Sequence, residues 1–215
     1  METFVKETES VSTDMTSKID ALNEEAWKVH ITQPNKGLQL SEKAKELSEK
    51  HAYPKGLAYA VRNMGVSHRY LSNLETALSL SFQALKMFAQ LEEKYGEAQA
   101  YVSIGAIYYY MGDFDRSLDY FLKGVRYNEE TGNKQALAYA FNGAGYIYGV
   151  LGDNKKGLEF LQKALALSKE VSSAHDLQSS ILDSIAVAYL NDEQFDRLMN
   201  PTWNVYVSVP YPTRK

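Results

Sequence analysis

The chain has 215 residues, 45% of them hydrophobic, and a formal net charge of −4 at pH 7. That is enough apolar content for a sizeable core in one domain or one repeat array. The acidic balance argues against non-specific nucleic-acid binding, which needs clustered Lys and Arg, and the absence of cysteine excludes disulfides, thiol catalysis and cysteine-based zinc sites.

Residues 1–17 are polar, rich in Ser, Thr and Glu, and without an apolar stretch. They read as a disordered leader and not as a secretory signal. No run of 18 apolar residues follows, so no segment is expected to span a membrane. From Ile19 onward the apolar residues recur at three and four positions, the spacing of helices. Helices are predicted near 18–32, 35–50, 55–70, 73–94, 97–111, 114–130, 134–150, 154–171 and 175–190. Pro34 suits a first helical turn, where its missing N–H is not needed. Asn73, Asp113 and Asp153 are candidate N-caps.

The chain repeats itself every 40 residues. Tyr101, Ile104, Gly105, Tyr108, Gly112, Asp113 and Leu118 return as Phe141, Ala144, Gly145, Tyr148, Gly152, Asp153 and Leu158. Val61, Met64, Gly65, Leu78 and Ala84 stand one period earlier. A glycine inside a helix costs roughly 1 kcal/mol against alanine. Gly65, Gly105 and Gly145 therefore mark places where helices need room to touch, with Ala84, Gly124 and Ala164 expected as the facing small residues and Leu38, Leu78, Leu118 and Leu158 filling the seam. Repeat units are expected at 18–54, 55–95, 96–133, 134–174 and 175–199. At 193–197 a further second helix starts, and Asn200-Pro201 interrupts it. Residues 200–215 form an irregular, partly strand-like tail, read either as a truncated or non-native end or as a lid that folds back.

This pattern resembles the tetratricopeptide repeat, carried by Tyr101, Ile104, Gly105, Tyr108, Ser117, Phe121 and Gly124 and by Phe141, Ala144, Gly145, Tyr148, Gly157, Leu161 and Ala164. The period of 40 departs from that family's usual 34, and the first unit lacks the glycine and places Trp27 near the tyrosine position. The resemblance implies an all-α, right-handed superhelical α-solenoid of about 4.5 antiparallel helix hairpins. It further implies that first helices line a concave face, which puts Tyr59, Arg62, Arg69, Tyr70, Gln99, Tyr109, Tyr110, Tyr139, Asn142, Tyr146 and Asp183 there. An extended peptide would suit such a face, with Asn142 bonding its backbone and Arg62 or Arg69 a carboxylate. The alternative, left open by the sequence, is that several of these tyrosines pack between adjacent units. Asn63, Ser103 and Gly143 occupy the places of the Lys, Asn and Arg set with which some co-chaperone members hold a terminal carboxylate, so that clamp is not expected.

Gly143 to Gly149 superficially matches a dinucleotide fingerprint, but these glycines fall within a helix and in register with the repeat. His30, His51, His68 and His175 show no metal-ligand spacing. No catalytic residue, metal or cofactor is expected. The functional reading is a cytoplasmic, non-catalytic protein- or peptide-binding scaffold, the regulatory or sensor region of a bacterial signalling protein. The alternatives are a cytosolic peptide-pheromone-binding regulator and a structural module that self-assembles through its end helices.

Overall fold

A computed structural model describes residues 2–171 and 175–191 of the chain. The elements are α1 (Glu2–Val29), α2 (Pro34–Lys50), α3 (Pro54–Tyr70), α4 (Leu74–Gln90), α5 (Lys94–Tyr110), α6 (Phe114–Thr131), α7 (Lys134–Val150), α8 (Asn154–Lys169) and α9 (His175–Asn191), and no strand occurs among the described residues. Two compact units divide after Gly112. In unit 1, α1 to α5 pack each on the next, and α3 also meets α1 and α5. In unit 2, α6 to α9 do the same, with α7 also against α9. The expected second helix from residue 193 and the tail over 200–215 lie outside the described residues.

The helix length is set by the turns. Left-handed backbone recurs every 20 residues, at Ala52, Ser72, Glu92, Gly112, Gly132 and Gly152. On either side the helices end in the same hydrogen bonds. Tyr53, Asn73, Glu93 and Asp153 donate their N–H to the carbonyls of Ser48, His68, Phe88 and Tyr148 at 2.8–3.0 Å. These are the bonds of a Schellman closure, which satisfies carbonyls that a helix end otherwise leaves unpaired. The 40-residue period is thus two half-periods, each a helix of about 17 residues with a short turn.

Three sequence expectations change. The disordered leader over 1–17 is helix from Glu2, because the apolar spacing of Phe4, Val11, Met15, Ile19, Leu22 and Ala26 runs back through it with no Gly or Pro between. The break between α4 and α5 falls at Leu91–Glu93, not at 95–96, since Glu92 takes the left-handed position. Gly96 lies inside α5, where a Cβ would fall 2.2 Å from Phe88 Cδ1. Asn73 makes no side-chain cap, and its amide nitrogen lies 3.3 Å from His68 Nδ1. Asp113, Asn133 and Asp153 do cap, accepting from the N–H of Arg116, Ala136 and Lys156. Pro34 stands in the first turn of α2 as expected.

The even helices bury a stripe spaced at four, three and four residues. Gly37, Ser41, Ala44 and Ser48 recur as Ala77, Ser81, Ala84 and Phe88, as Ser117, Phe121, Gly124 and Asn128, and as Gly157, Leu161, Ala164 and Ser168. Ala58, Ala60, Ala98, Ala100, Ala138 and Ala140 on the odd helices are fully buried. The glycines do meet an even helix, although not at the small residues expected. A Cβ on Gly65 would lie 3.0 Å from Ser81 Oγ and 3.2 Å from the Ala77 carbonyl oxygen. One on Gly145 would lie 2.8 Å from Leu161 Cγ and 2.9 Å from the Gly157 carbonyl oxygen. Antiparallel helices register symmetrically about their turn, so Gly65 meets Ala77, equally far from Leu71. Ala84 instead shares a cluster with Ala58, Val61 and Phe88.

The turns can be tested directly. A Cβ at Gly152 would touch nothing within 4 Å, so its substitution is costly only through its φ of 90°. Gly152→Ala should lower stability by about 1 kcal/mol, and Ser72→Gly, at φ 63°, should raise it by up to about 1 kcal/mol. Urea unfolding reads both, and two unchanged midpoints would dismiss the turns as determinants of stability.

Candidate functional site

In unit 1 the candidate residues lie on α3 and α5, and α3 carries the cations. Arg62 is the most deeply set, at 4% exposure. Its Nη1 donates to Asn63 Oδ1 at 3.1 Å, and its Cζ lies 4.0 Å from the centroid of the Trp27 ring. Asn63 is held in turn by α1: its Nδ2 donates to the Asn23 carbonyl at 2.9 Å, while Asn23 Nδ2 donates to the Gly56 carbonyl at 3.0 Å. Burial lowers the Arg62 pKa to about 10, with the Tyr59 and Tyr95 phenols acting in the opposite sense. It remains charged at neutral pH.

Arg69 lies two helical turns further along α3. Its Cζ is 4.1 Å from the Tyr70 ring centroid and 5.4 Å from that of Tyr110. Tyr109 and Tyr110 contact edge to face at 5.1 Å, and Tyr110 is 57% exposed. Arg69, Tyr70, Tyr109 and Tyr110 therefore form one cation–aromatic group. Gln99 on α5 is half-buried, and its Oε1 has no hydrogen-bond partner. Tyr59 packs edge to face on Phe88 at 4.9 Å, and burial pushes its hydroxyl pKa upward. Its ring belongs to the core.

His30 completes this region from α1. The imidazole lies 4.4 Å from the Trp27 ring and 5.3 Å from Tyr70, with Nδ1 against the Trp27 carbonyl oxygen. Burial lowers its pKa to about 4; the Trp27 carbonyl works in the opposite sense, and the charges of Arg62 and Arg69 add to the lowering.

In unit 2 the candidates lie on α7 and α9. Asn142 Nδ2 donates to Ser180 Oγ at 3.4 Å, while its Oδ1 is buried without a partner. Tyr146, Gly145, Gly149 and Val150 on α7 face Ser184, Val187 and Ala188 on α9 across a narrow, mostly apolar slot. Tyr139 is 38% exposed and Asp183 is exposed, both apart from that slot.

The structure thus gathers Arg69, Tyr70, Tyr109 and Tyr110 in one unit, and Asn142 and Tyr146 along α7 in the other. Trp27, His30, Asn23 and Asn63 are not among the site residues that the sequence picks out. Two signals in it point to them nonetheless: Trp27 and His30 stand one helical turn apart, and Asn23 and Asn63 one full period apart. Among the described residues no group of three or more His, Asp or Glu side chains could hold a metal ion, and no helix is long and apolar enough to cross a membrane.

Helix hairpins of this kind define a class. Residues 56–130 and 138–170, together just over half of the chain, match family models of the tetratricopeptide repeat. The chain belongs to that family, and its fold class is the all-α helical-repeat solenoid. Among solved structures, BtubC from P. vanneervenii is 15% identical, with 96% of this chain and 95% of that one covered and a TM-score of 0.62. A Rap protein complexed with competence and sporulation factor is 20% identical, covering 88% of this chain and 61% of that one, with a TM-score of 0.68. A signal-transduction ATPase with a tetratricopeptide repeat sensor, from Pyrococcus horikoshii, is 17% identical over 92% of this chain and 31% of that one, with a TM-score of 0.67. No curated protein matches the chain.

The titration of His30 fixes the sign of one pH effect. An unfolded histidine takes up a proton near pH 6.5, whereas folded His30 does so only near 4, so stability present above 6.5 is lost as pH falls through this window. The loss should be on the order of 1–3 kcal/mol, and His30→Gln should reduce it. Urea unfolding of both proteins at pH 7 and pH 4.5 measures the difference. An identical loss in the variant would acquit His30.

Proposed function

We propose that the chain is a non-catalytic binding module that holds a protein or peptide segment on its odd-numbered helices. The observation that carries this reading is a set of polar atoms. Arg62 Nε, Arg69 Nε, Gln99 Oε1 and Asn142 Oδ1, all on odd helices, are buried without hydrogen-bond partners. A buried donor or acceptor left unmade is costly. A segment laid against these helices would supply the missing partners through its backbone amides and side chains, as in extended-peptide recognition. Half-buried and exposed tyrosines beside these atoms offer stacking area with a polar tip.

Within this reading the chain is the regulatory or sensor region of a bacterial signalling protein, acting in the cytoplasm. Support comes from the sensor role printed for the repeats of the Pyrococcus horikoshii ATPase. A second reading, a cytosolic regulator that binds a signalling peptide, draws support from the Rap protein, whose structure contains competence and sporulation factor.

An array of random decapeptides, probed with the full chain, tests the binding face. The chain should retain a selective subset. The double variant Arg69→Ala, Tyr110→Ala should weaken retention about tenfold, the scale expected of an aromatic–arginine anchor, and Asn142→Ala should weaken it several-fold. Retention by both variants at the level of the unaltered chain would remove the odd helices from the binding reaction.

A further inference from the structure

The turns that join odd helices to even ones carry apolar side chains outward. In unit 1, Ile31 is 54% exposed, Met111 is 44% exposed and Tyr110, the last residue of α5, is 57% exposed. Leu71 holds the matching place after α3 and is half-buried. Ile31, Leu71 and Met111 stand one period apart in the sequence. The turn does not demand an apolar residue there, since His51 occupies the same helix-end position after α2. Rings join the ends of α1, α3 and α5 into one strip: His30 meets Tyr70 at 5.3 Å, and the Arg69 guanidinium reaches both Tyr70 and Tyr110. Exposed Thr32, Gln33, Ser72 and Asn73 border it.

The strip is also almost free of charge. Residues 30–34, 70–74 and 110–112 contain no Lys, Arg, Asp or Glu. Nearby, Lys28 pairs with Glu24 at 3.8 Å and Lys36 with Glu25 at 3.1 Å. Arg69 lies against the two rings, and Glu75 stands in the first turn of α4, where the positive end of the helix offsets it. The opposite edge of the unit differs. There Glu49, Lys50, Lys55, Glu92, Glu93 and Lys94 crowd the turns from even to odd helices.

This chemistry selects an occupant. A partner of opposite charge finds nothing here to match. A second copy is suited, because about a two-fold axis a surface meets itself. Charged groups would then face their like, as Glu92 and Glu93 would at the opposite edge. Apolar side chains complement themselves, and so do Thr, Gln, Ser and Asn, which both donate and accept. Ile31, Tyr110 and Met111 expose on the order of 300 Å², a large patch for a monomer but under half of the roughly 800 Å² that a standard interface buries on each partner. They make an apolar core, and the uncharged polar border makes its rim. We propose that the turn edge of unit 1 is a self-association surface, forming a reversible two-fold dimer. An axis at the middle of the strip sets Leu71 near its own copy and Ile31 of one copy near Met111 of the other. The surface crosses three successive turns and does not run along an end helix, and it does not depend on the peptide-binding reading.

Sedimentation equilibrium of the full chain over a range of concentrations should show a monomer–dimer equilibrium that sodium chloride does not weaken, as expected of an uncharged surface. Ile31→Glu and Met111→Glu should each weaken it about tenfold, the scale of a central interface residue. Leu91→Glu, 39% exposed at the opposite edge, should leave it unchanged, and circular dichroism should show all three variants folded. The chain has no cysteine, so a single introduced thiol reports proximity independently. In oxidised glutathione, Leu71→Cys should give a disulfide-linked dimer much faster than Gln90→Cys, at the opposite edge. A dimer indifferent to Met111→Glu, one weakened equally by Leu91→Glu, or equal cross-linking at both thiols overturns the proposal. Loss in Ile31→Glu alone would assign association to the end helix α1 and overturns it too. A chain monomeric at every concentration also overturns it, and weaker decapeptide retention by Met111→Glu would then give the strip to the bound segment.

Discussion

One backbone conformation, a single left-handed residue after each of α2 to α7, governs the rest of the fold. It fixes where a helix stops, and the 6→1 hydrogen bond that accompanies it fixes the direction in which the chain leaves. Equal helix lengths follow, and equal lengths bring the same positions of successive even helices to the same depth. That is why Gly37, Ala77, Ser117 and Gly157 are all buried although their side chains differ. Antiparallel register about each turn then brings Gly65 to Ala77 and Gly145 to Gly157. The close approach at these crossings is a consequence of the turns as much as of the glycines.

The sequence is legible where chemistry and conformation agree. Gly112-Asp113 and Gly152-Asp153 combine a residue free to turn left with one able to cap, and both turns fall where the sequence places them. Ala52, Ser72 and Glu92 adopt the same conformation without the glycine that advertises it. The sequence expectation puts the α4–α5 break at 95–96, beside Gly96, a residue that the structure uses to accommodate Phe88. Before Ile19 the polar composition masks an amphipathic spacing, and it hides the first half of α1.

Side-chain burial is the harder inference. Family resemblance places Arg62 on a binding face with its charge available, whereas the structure folds it against Trp27 and Asn63. Arg62 and Trp27 are not one period apart, so repeat register gives no hint of that contact. Asn23 and Asn63 are one period apart, and their hydrogen bond is the repeat expressed in polar groups. An interaction that follows the period can be anticipated; one that crosses it shows only in coordinates.

The two units consequently differ in the chemistry their odd helices offer. Unit 1 sets two guanidinium groups among Trp27, Tyr70 and Tyr110, with His30 neutral at pH 7. That neutrality matters, because a charged imidazole would add a third cation to a region already short of acceptors. Burial depresses the His30 pKa and the two arginines depress it further, so the cluster limits its own positive charge. In unit 2, Asn142 and Ser180 supply hydrogen-bonding groups, and Tyr146, Val150 and Val187 line an apolar slot. A repeat that keeps the positions of its even-helix stripe buried thus leaves the exposed and half-buried odd-helix positions free to diverge.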